Sequence, residues 1–232
     1  MEVHLKNKKI LITAGPTREY LDPVRFISNE STGKMGYAMA EALHQMGADV
    51  ILVSGPVSIT SSFPKHKIIS VISGSQMYEA CQKYFASIDI AIFCAAVADY
   101  TPKVTSDIKI KKIETETTLE LQKNVDIALE FGKVKKDNQK SIGFALETNN
   151  IHENAIGKLK KKNFDLVVMN SPNVNEGFGY DTNKVTLLNN ELTLHSFPLK
   201  DKKEVALDII AFIKNSYKMA KTENKYLVNN LI

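Results

Sequence analysis

Cationic, amide and hydroxyl side chains are concentrated in one segment near the start of the chain, residues 14–36, AGPTREYLDPVRFISNESTGKMG. It ends in Gly33-Lys34, which resembles the end of a phosphate-binding P-loop. A P-loop needs Gly, four residues and then Gly-Lys-Ser/Thr, but Ser28 stands at the first glycine position and Met35 at the hydroxyl position. The segment is therefore not a P-loop.

The same segment still has the features of an anion site. It joins an apolar run to a periodic helical stretch and is about 20 residues long, where such connections are usually about 2–6 residues. It carries Arg25, Asn29 and Lys34, and a helix N-terminus supplies free N–H groups and a positive dipole end. Ser31 or Thr32, taken singly, would instead be a helix cap. Length and clustering together favour anion binding.

Three further groups are candidates, each with a simpler alternative. Asp99 ends AAVADY (95–100), whose small residues allow close approach to the backbone; it would orient a nucleotide or hold a metal, or be an ordinary turn aspartate. Lys109 alternates with apolar residues in IKIKK (108–112), on a segment that would otherwise be a solvated surface. Lys158 and Lys162 lie one helical turn apart, but this spacing alone does not show that the pair binds a polyphosphate.

The elements that must position these groups alternate between strand and helix. Apolar runs at 9–13, 49–55, 67–71, 89–100, 141–148 and 165–170 predict strands; periodic stretches at 33–47, 75–87, 152–163 and 202–218 predict helices. The pattern predicts an α/β fold with a Rossmann-like, mostly parallel sheet and helices on both faces. A β-hairpin about Asn189-Asn190 (184–197) and a basic flap with strand-like arms (101–124) interrupt it. In 33–47 the expected buried face includes Met39, Leu43 and Met46.

Bulk properties limit the function classes. The 232 residues carry 30 basic and 26 acidic side chains, a net charge of +4, which is too mild to indicate nucleic acid. We expect one domain over residues 1–232, with a frayed tail from about residue 219. The two cysteines have no metal-ligand spacing and are expected to be reduced core thiols. With no apolar run near membrane-spanning length and no signal peptide, we expect a soluble cytoplasmic protein.

Several motifs together resemble one family, phosphopantothenoylcysteine synthetase, also called phosphopantothenate–cysteine ligase. They are TAGPTREYLDPVRFISNESTGKMG, LVSGP, AAVADYTPK followed by IKIKK, KNVDI, GFALETNN and GFGYDTNKVTL. They span most of the chain in the family's order. The resemblance implies that CTP, with Mg²⁺, activates 4′-phosphopantothenate as an acyl-cytidylate, and that cysteine then displaces CMP.

The resemblance also implies roles for particular residues. Asn29 corresponds to the family residue that stabilises the intermediate, Arg25 to its functional neighbour, and Lys109 to the flap lysine needed for activation. The turn with Ser31, Thr32, Gly33 and Lys34 is implied in binding substrate. The residues implied in nucleotide binding are Ala95, Asp99, Lys109, Val125, Asp126, Ile127, Ala128, Phe144, Lys158 and Lys162. No metal ligand is assigned.

The chain departs from many relatives in two respects. Val125 stands where they often have proline, a change that a backbone contact would tolerate. Many bacterial relatives also carry an N-terminal flavin-dependent decarboxylase, whereas this pattern starts within ten residues of Met1. The resemblance therefore implies a stand-alone synthetase without flavin. It also implies a homodimer, in which the flap reaches toward the partner's site.

Two other function classes remain as alternatives. A Rossmann-type NAD(P)- or flavin-dependent oxidoreductase would have GxGxxG, absent from AGPTREYLD, and an acidic residue ending the second strand. A catalytically silent binding module would not need Asn29, Asp99 and Lys109 together. Spectra with NAD(P) titration would test the first, and activity the second.

Overall fold

An eight-stranded, mostly parallel sheet forms the centre of the protein. The structure, a computed structural model, describes residues 5–111, 117–147, 149–170 and 180–229, with side chains described up to residue 215. Elements are numbered in chain order. The helices are α1 (Lys34–Gln45), α2 (Gly74–Phe85), α3 (Ile127–Val134), α4 (Ile151–Lys161) and α5 (Lys202–Asn229), with a 3₁₀ turn at Lys65–Lys67. The strands are β1 (Lys9–Ala14), β2 (Arg18–Tyr20), β3 (Phe26–Ser28), β4 (Asp49–Ser54), β5 (Ile68–Ser70), β6 (Ile90–Phe93), β7 (Tyr100–Pro102), β8 (Leu121–Lys123), β9 (Lys140–Leu146), β10 (Leu166–Asn170), β11 (Thr182–Asn183), β12 (Thr186–Asn189), β13 (Leu194–Ser196) and β14 (Lys200–Asp201).

The order of the strands creates a switch point at the middle of the sheet. Across the sheet they run β13-β12-β10-β9-β6-β1-β4-β5. The six from β10 to β5 are parallel, and β12 and β13 add an antiparallel edge. The chain builds outward from β1 through β4 to β5, then returns to the other side of β1 with β6. Loops leaving β1 and β6 therefore diverge, which opens a crevice at their carboxyl ends.

Alternating strand residues bury against helices on both faces of the sheet. Ile12 faces α1 and α5, where Met39 and Ile209 are fully buried. Leu11 faces the opposite layer of α2, α3 and α4, which contains Phe131. Burying one such side chain contributes roughly 1.5–3 kcal/mol. The predicted α/β fold with helices on both faces is confirmed.

The predicted hairpin and flap arms are also present. β12 and β13 pair through a turn in which Thr193 N donates to Asn189 Oδ1 at 2.8 Å. In the flap, β7 pairs with β8 in antiparallel register. The flap residues 112–116, with Lys112 of the basic cluster, lie outside the described residues, as do Thr148 and residues 171–179.

The structure corrects three expectations. The segment between β1 and α1 is not one open loop, because β2 and β3 form a small antiparallel hairpin in it. Met46 is 38% exposed; α1 ends at Gln45, and the chain turns away at Gly47, whose φ is positive. The last helix does not end near residue 218 but continues to Asn229, since no glycine or proline interrupts it.

Candidate functional site

A cavity of about 280 Å³ opens at the switch point between β1 and β6. Its walls come from the segments that follow these two strands, from the ends of β9 and β10, from α4, and from the start of α5. The lining residues are Asn29, Ser31, Thr32, Gly33, Lys34, Met35, Gly36, Cys94, Ala95, Ala96, Val97, Phe144, Leu146, Lys158, Asn170, Asn183 and Lys202. A ligand site is expected at this position of a doubly wound sheet.

The first turn of α1 forms one wall and carries no side-chain cap. Gly33 precedes the helix at φ +78°, a left-handed conformation that favours glycine. Ser31 Oγ accepts a hydrogen bond from Gly33 N at 3.3 Å, ahead of the helix. A Cβ added at Gly36 would lie 2.5 Å from Ala14 Cβ, so glycine lets the helix approach β1 closely. The N–H groups of the first turn can therefore interact with an anion in the cavity.

Asn29 reaches the cavity from the end of the β2–β3 hairpin. Its Nδ2 donates to the Ala96 carbonyl at 3.1 Å, and Thr17 N donates to the same carbonyl at 3.3 Å. The segment after β1 and the segment after β6 are thus connected through one backbone oxygen. Ala95 and its small neighbours leave their backbone accessible to a ligand.

The opposite wall contains Phe144 on β9 and Lys158 on α4. Lys158 Nζ lies 2.5 Å from Glu147 Oε1, and its side chain stays 37% exposed. Phe144 is half-buried against the core. This wall offers one aromatic face and one cation.

The remaining wall combines two lysines with a buried amide. Lys34 Nζ pairs with Asp181 Oδ1 at 2.5 Å. Lys202, only 7% exposed, donates from Nζ to the Tyr180 carbonyl at 2.5 Å. Burial lowers the pKa of Lys202, and the nearby Lys34 charge lowers it further against the opposing effect of Asp181. Three lysines and no carboxylate line the described cavity, so its electrostatics favour an anion.

Cys94 is not the simple core thiol expected. It lines the cavity, and burial raises the pKa of its thiol to about 12, with Lys202 opposing the shift. Cys81 is fully buried, and its pKa is likewise raised to about 12 by burial. Both are unpaired thiols, and neither is activated as a nucleophile.

Arg25 and Lys109, both predicted site residues, lie outside the cavity lining. Nε and Nη2 of the Arg25 guanidinium both donate to Asp22 Oδ2, and Nη2 also donates to the Ile110 carbonyl at 2.8 Å. Asp22 Oδ2 accepts from Ile110 N at 3.1 Å. Lys109 is exposed on the flap beside this contact. Arg25 therefore attaches the β2–β3 hairpin to the flap that carries Lys109.

The other predicted nucleotide residues form a separate group beside the cavity. The Asp99 carbonyl accepts from Asn124 N at 2.8 Å, which places residues 124–126 next to the loop after β6. The Asp99 side chain is exposed and does not line the cavity. Asp126 caps α3 and pairs with Lys162 Nζ at 2.9 Å. Ile127 and Ala128 are buried against the second core layer.

Lys158 and Lys162 therefore do not point into one common binding site in this structure. Lys158 faces the cavity, whereas Lys162 is held at the α3 N-terminus by Asp126. The structure brings together Asn29, Ser31, Thr32, Gly33, Lys34, Ala95, Phe144 and Lys158. It does not bring Arg25, Asp99, Lys109, Val125, Asp126, Ile127, Ala128 or Lys162 into the same lining.

Sequence reasoning missed Asn170, Asn183 and Lys202 as cavity residues. Asn170 had a signal, since it ends a predicted strand on the side where ligands bind. Asn183 lies in GFGYDTNKVTL, one of the motifs that carry the resemblance, but it was given no role. Lys202 had no signal, because it lies in a polar stretch that resembles a surface.

No group of three or more His, Cys, Asp or Glu side chains suited to a metal ion occurs in the part of the chain that the structure describes. Over the same residues, no helix is both long and apolar enough to cross a membrane.

The fold and the cavity define a doubly wound α/β protein with a lysine-lined cavity at its switch point. Residues 5–217 match the family described as the DNA/pantothenate metabolism flavoprotein C-terminal domain, and the chain belongs to that family. The resemblance found in the sequence is confirmed at this level.

Three similar proteins illustrate the match. A "Cysteine/Cysteine sulfinic acid decarboxylase" from an unknown prokaryotic organism is 49% identical over 90% of this chain and 58% of that protein. The "Coenzyme A biosynthesis bifunctional protein CoaBC" of Bacillus subtilis (strain 168) is 48% identical over 89% of this chain and 51% of that protein. The crystal structure of a CoaBC C-terminal domain is 40% identical, with a TM-score of 0.77, over 93% of this chain and 98% of that one. The chain thus spans about half the length of the curated relatives it matches.

Proposed function

We propose that this chain is a phosphopantothenate–cysteine ligase that uses CTP and forms an acyl-cytidylate. The observation that carries the proposal is the cavity at the switch point. It combines an uncapped helix N-terminus, Asn29 and three lysines with no lining carboxylate among the described residues. Such a site suits two negatively charged substrates that must meet. The similarity to the C-terminal half of CoaBC supports the same reaction.

In the first step, a carboxylate oxygen of 4′-phosphopantothenate attacks the α-phosphorus of CTP. The bond to the β-phosphate bridging oxygen breaks, and pyrophosphate leaves. Lys109 would stabilise the charge that builds on the phosphates when the flap covers the site. Lys158 and the first turn of α1 would hold the anionic groups in position. Mg²⁺ would arrive on the nucleotide phosphates, the usual way in which proteins bind this ion, and would neutralise part of their charge.

In the second step, the cysteine amine attacks the activated carbonyl carbon. An amide bond forms, the acyl–phosphate bond breaks, and CMP leaves with the carboxylate oxygen. Asn29 would stabilise the intermediate, since its side-chain amide is held at the cavity wall by the Ala96 carbonyl. The backbone of the small residues at 95–97 would allow the acyl-cytidylate to lie close to the sheet.

The residues outside the cavity lining have parts in this proposal too. Asp99, residues 125–128 and Lys162 lie beside the cavity and would contact the remainder of the nucleotide. Arg25 would act through the flap, since its guanidinium binds the Ile110 carbonyl. We further propose a cytoplasmic homodimer whose flap approaches the partner's site.

Product analysis tests the proposal. The purified chain is incubated with Mg²⁺, 4′-phosphopantothenate, cysteine and either CTP or ATP, and the products are identified by mass spectrometry. Formation of phosphopantothenoylcysteine with CMP supports the proposal. Formation of phosphopantothenoylcysteine with ATP but not with CTP would support the ligase activity and show that the nucleotide is ATP. Absence of the product with both nucleotides would reject the ligase activity, even if the protein binds both substrates.

A further inference from the structure

The wall that contains Lys202 and Asn183 is a buried polar surface that the proposed function leaves unassigned. Lys202 begins α5 and Asn183 ends β11. In the pairing of β11 with β14, Asn183 lies opposite Lys200, and Lys202 N donates to the carbonyl of Asp181, two residues before Asn183. Both line the cavity, at 7% and 2% exposure. Burying an ammonium group and an amide costs free energy unless each finds polar partners. Lys202 has such a partner in the Tyr180 carbonyl, whereas Asn183 Oδ1 has none among the described residues.

Asn183 adds an unpaired polar atom to this wall. Its Oδ1 is buried and has no hydrogen-bond partner among the described residues. Buried polar atoms are almost always paired in native structures, so an unpaired one needs an explanation. The residue lines the cavity, and toward an anion it must present its amide N–H groups, because the oxygen would repel the ligand. A half-turn about the Cβ–Cγ bond would present the amide N–H groups instead of the oxygen.

The charges around Lys202 indicate the class of ligand. Lys34 lines the same cavity, and its positive charge repels that of Lys202. The partner of Lys34, Asp181, has a side chain that is 75% exposed, so solvent screens its charge. Two cations and the positive end of α1 therefore face the cavity. A phosphate monoester, with about −1.5 to −2 charges at pH 7, matches this set better than a carboxylate.

We propose that Lys202 and Asn183 form, together with Lys34 and the first turn of α1, a subsite that binds a phosphate group of the substrates. The inference rests on the proposed function and deepens it by naming two residues, Lys202 and Asn183, to which the motifs and the resemblance assigned no role. The phosphate comes either from the nucleotide or from phosphopantothenate, and both offer the same chemistry to the subsite. A purely structural alternative exists, because Lys202 Nζ also donates to the Tyr180 carbonyl.

Calorimetric binding tests the subsite without requiring catalysis. The ligands are CTP, inorganic pyrophosphate and 4′-phosphopantothenate, with cytidine and pantothenate as counterparts without phosphate. Lys202→Met removes the charge and keeps an apolar chain in the buried position, Asn183→Asp places a negative charge there, and Lys184→Met is the matched control at an exposed neighbour. Melting temperatures of all variants show that each is folded.

We expect Lys202→Met and Asn183→Asp to raise the Kd of a phosphate-bearing ligand by about 10- to 100-fold, the effect of losing one charged hydrogen bond. Cytidine, pantothenate and the Lys184→Met variant should be unaffected. Weaker binding of CTP and pyrophosphate alone would assign the subsite to the nucleotide. Weaker binding of phosphopantothenate alone would assign it to that substrate.

The inference is overturned if Lys202→Met binds every phosphate-bearing ligand within twofold of wild type. It is also overturned if the variants bind pantothenate and cytidine more weakly to the same degree, because that would mean general damage to the cavity. Failure of the wild type to bind any of the ligands would overturn it as well. Lys202-dependent pyrophosphate binding without ligase product would reject the activity and keep the subsite. If Lys202→Met forms product with an unchanged KM for both substrates, the subsite is rejected and the ligase activity is kept.

Discussion

The buried carboxylate of Asp22 holds the guanidinium of Arg25, and the two together bind the flap. Asp22 Oδ1 accepts the backbone N–H groups of Val24 and Arg25, each at 2.9 Å, and so shapes the turn of the β2–β3 hairpin. Its Oδ2 accepts from Arg25 and from Ile110 N, while Arg25 donates to the Ile110 carbonyl. Asn29 lies just after this hairpin and Lys109 just before Ile110. One ion pair thus links the cavity wall to the flap.

Replacing Asp22 with asparagine should release the flap. The carboxylate accepts through both of its oxygens, whereas an amide has one acceptor oxygen and no charge. Either the hairpin turn or the contacts with Arg25 and Ile110 therefore lose their acceptor, so residues 106–111 should exchange their backbone hydrogens faster. We expect pyrophosphate release to slow by about 10- to 100-fold, because misplacing a catalytic group by about 1 Å has an effect of this size. Asp107→Asn, exposed on the same flap, is the control. Unchanged exchange in Asp22→Asn would contradict the link.

The same carboxylate should make stability depend on pH in acid. The Arg25 hydrogen bond, aided by the backbone N–H groups of Val24, Arg25 and Ile110, holds the pKa of Asp22 well below its usual range against the effect of burial. A lowered folded-state pKa stabilises the protein above the unfolded value of about 4, and this contribution is lost as the pH falls below it. The difference in Tm between wild type and Asp22→Asn should be largest near pH 6 and shrink between pH 4 and pH 2. A constant difference would show that the charge is not responsible.

Lys109→Gln should suppress pyrophosphate release while the protein stays folded. Lys109 is exposed and makes no contact that the fold depends on among those observed, so its Tm should stay within a few degrees of wild type. Lys111→Gln, two residues along the same flap, should keep most of the rate, because the resemblance assigns the role to Lys109 alone. Equal losses in both variants would indicate a general effect of flap charge.

Asn29→Asp should separate the two half-reactions. The aspartate cannot donate to the Ala96 carbonyl and adds a negative charge to the cavity wall. We expect pyrophosphate release to persist while phosphopantothenoylcysteine fails to form, so that the acyl-cytidylate accumulates and is seen by mass spectrometry. Glu30→Gln, exposed and next in sequence, should form product normally. Wild-type turnover by Asn29→Asp would show that the assigned role is wrong.

Gly36→Ala should disturb α1 where it meets β1. The added Cβ would lie 2.5 Å from Ala14 Cβ, and forcing such a contact costs about 1–3 kcal/mol of unfolding free energy. Ligand binding should weaken too, since the helix N-terminus moves. Gly157→Ala is the control, because nothing lies within 4 Å of its added Cβ, and alanine should stabilise α4 by about 0.5–1 kcal/mol. Urea unfolding of both variants measures the effect, and a neutral Gly36→Ala would contradict the packing.

Local patterns were enough to predict the central sheet and most helices. Buried parallel strands are short continuous apolar runs, such as Lys9–Ala14, and the helices between them keep a clear period. The β2–β3 hairpin escaped prediction because each of its strands is three residues long. It depends on the Asp22 side chain rather than on a hydrophobic pattern.

The candidate site was predictable only where it is continuous in sequence. The turn at 31–34 and Ala95 could be read from segments that follow strands. Lys202 could not, because in the run KDKK it resembles a solvated charge. It is buried only because α5 starts beside β11 at the cavity. That contact depends on the whole fold.

An isotope measurement tests the central claim, activation of a carboxylate by nucleotidyl transfer in this cavity. Phosphopantothenate labelled with ¹⁸O in its carboxylate is turned over with CTP, Mg²⁺ and cysteine, and the CMP is analysed by mass spectrometry. The account predicts CMP carrying one labelled oxygen, because the attacking carboxylate oxygen leaves with the α-phosphate. Unlabelled CMP, or label in inorganic phosphate instead, would contradict it.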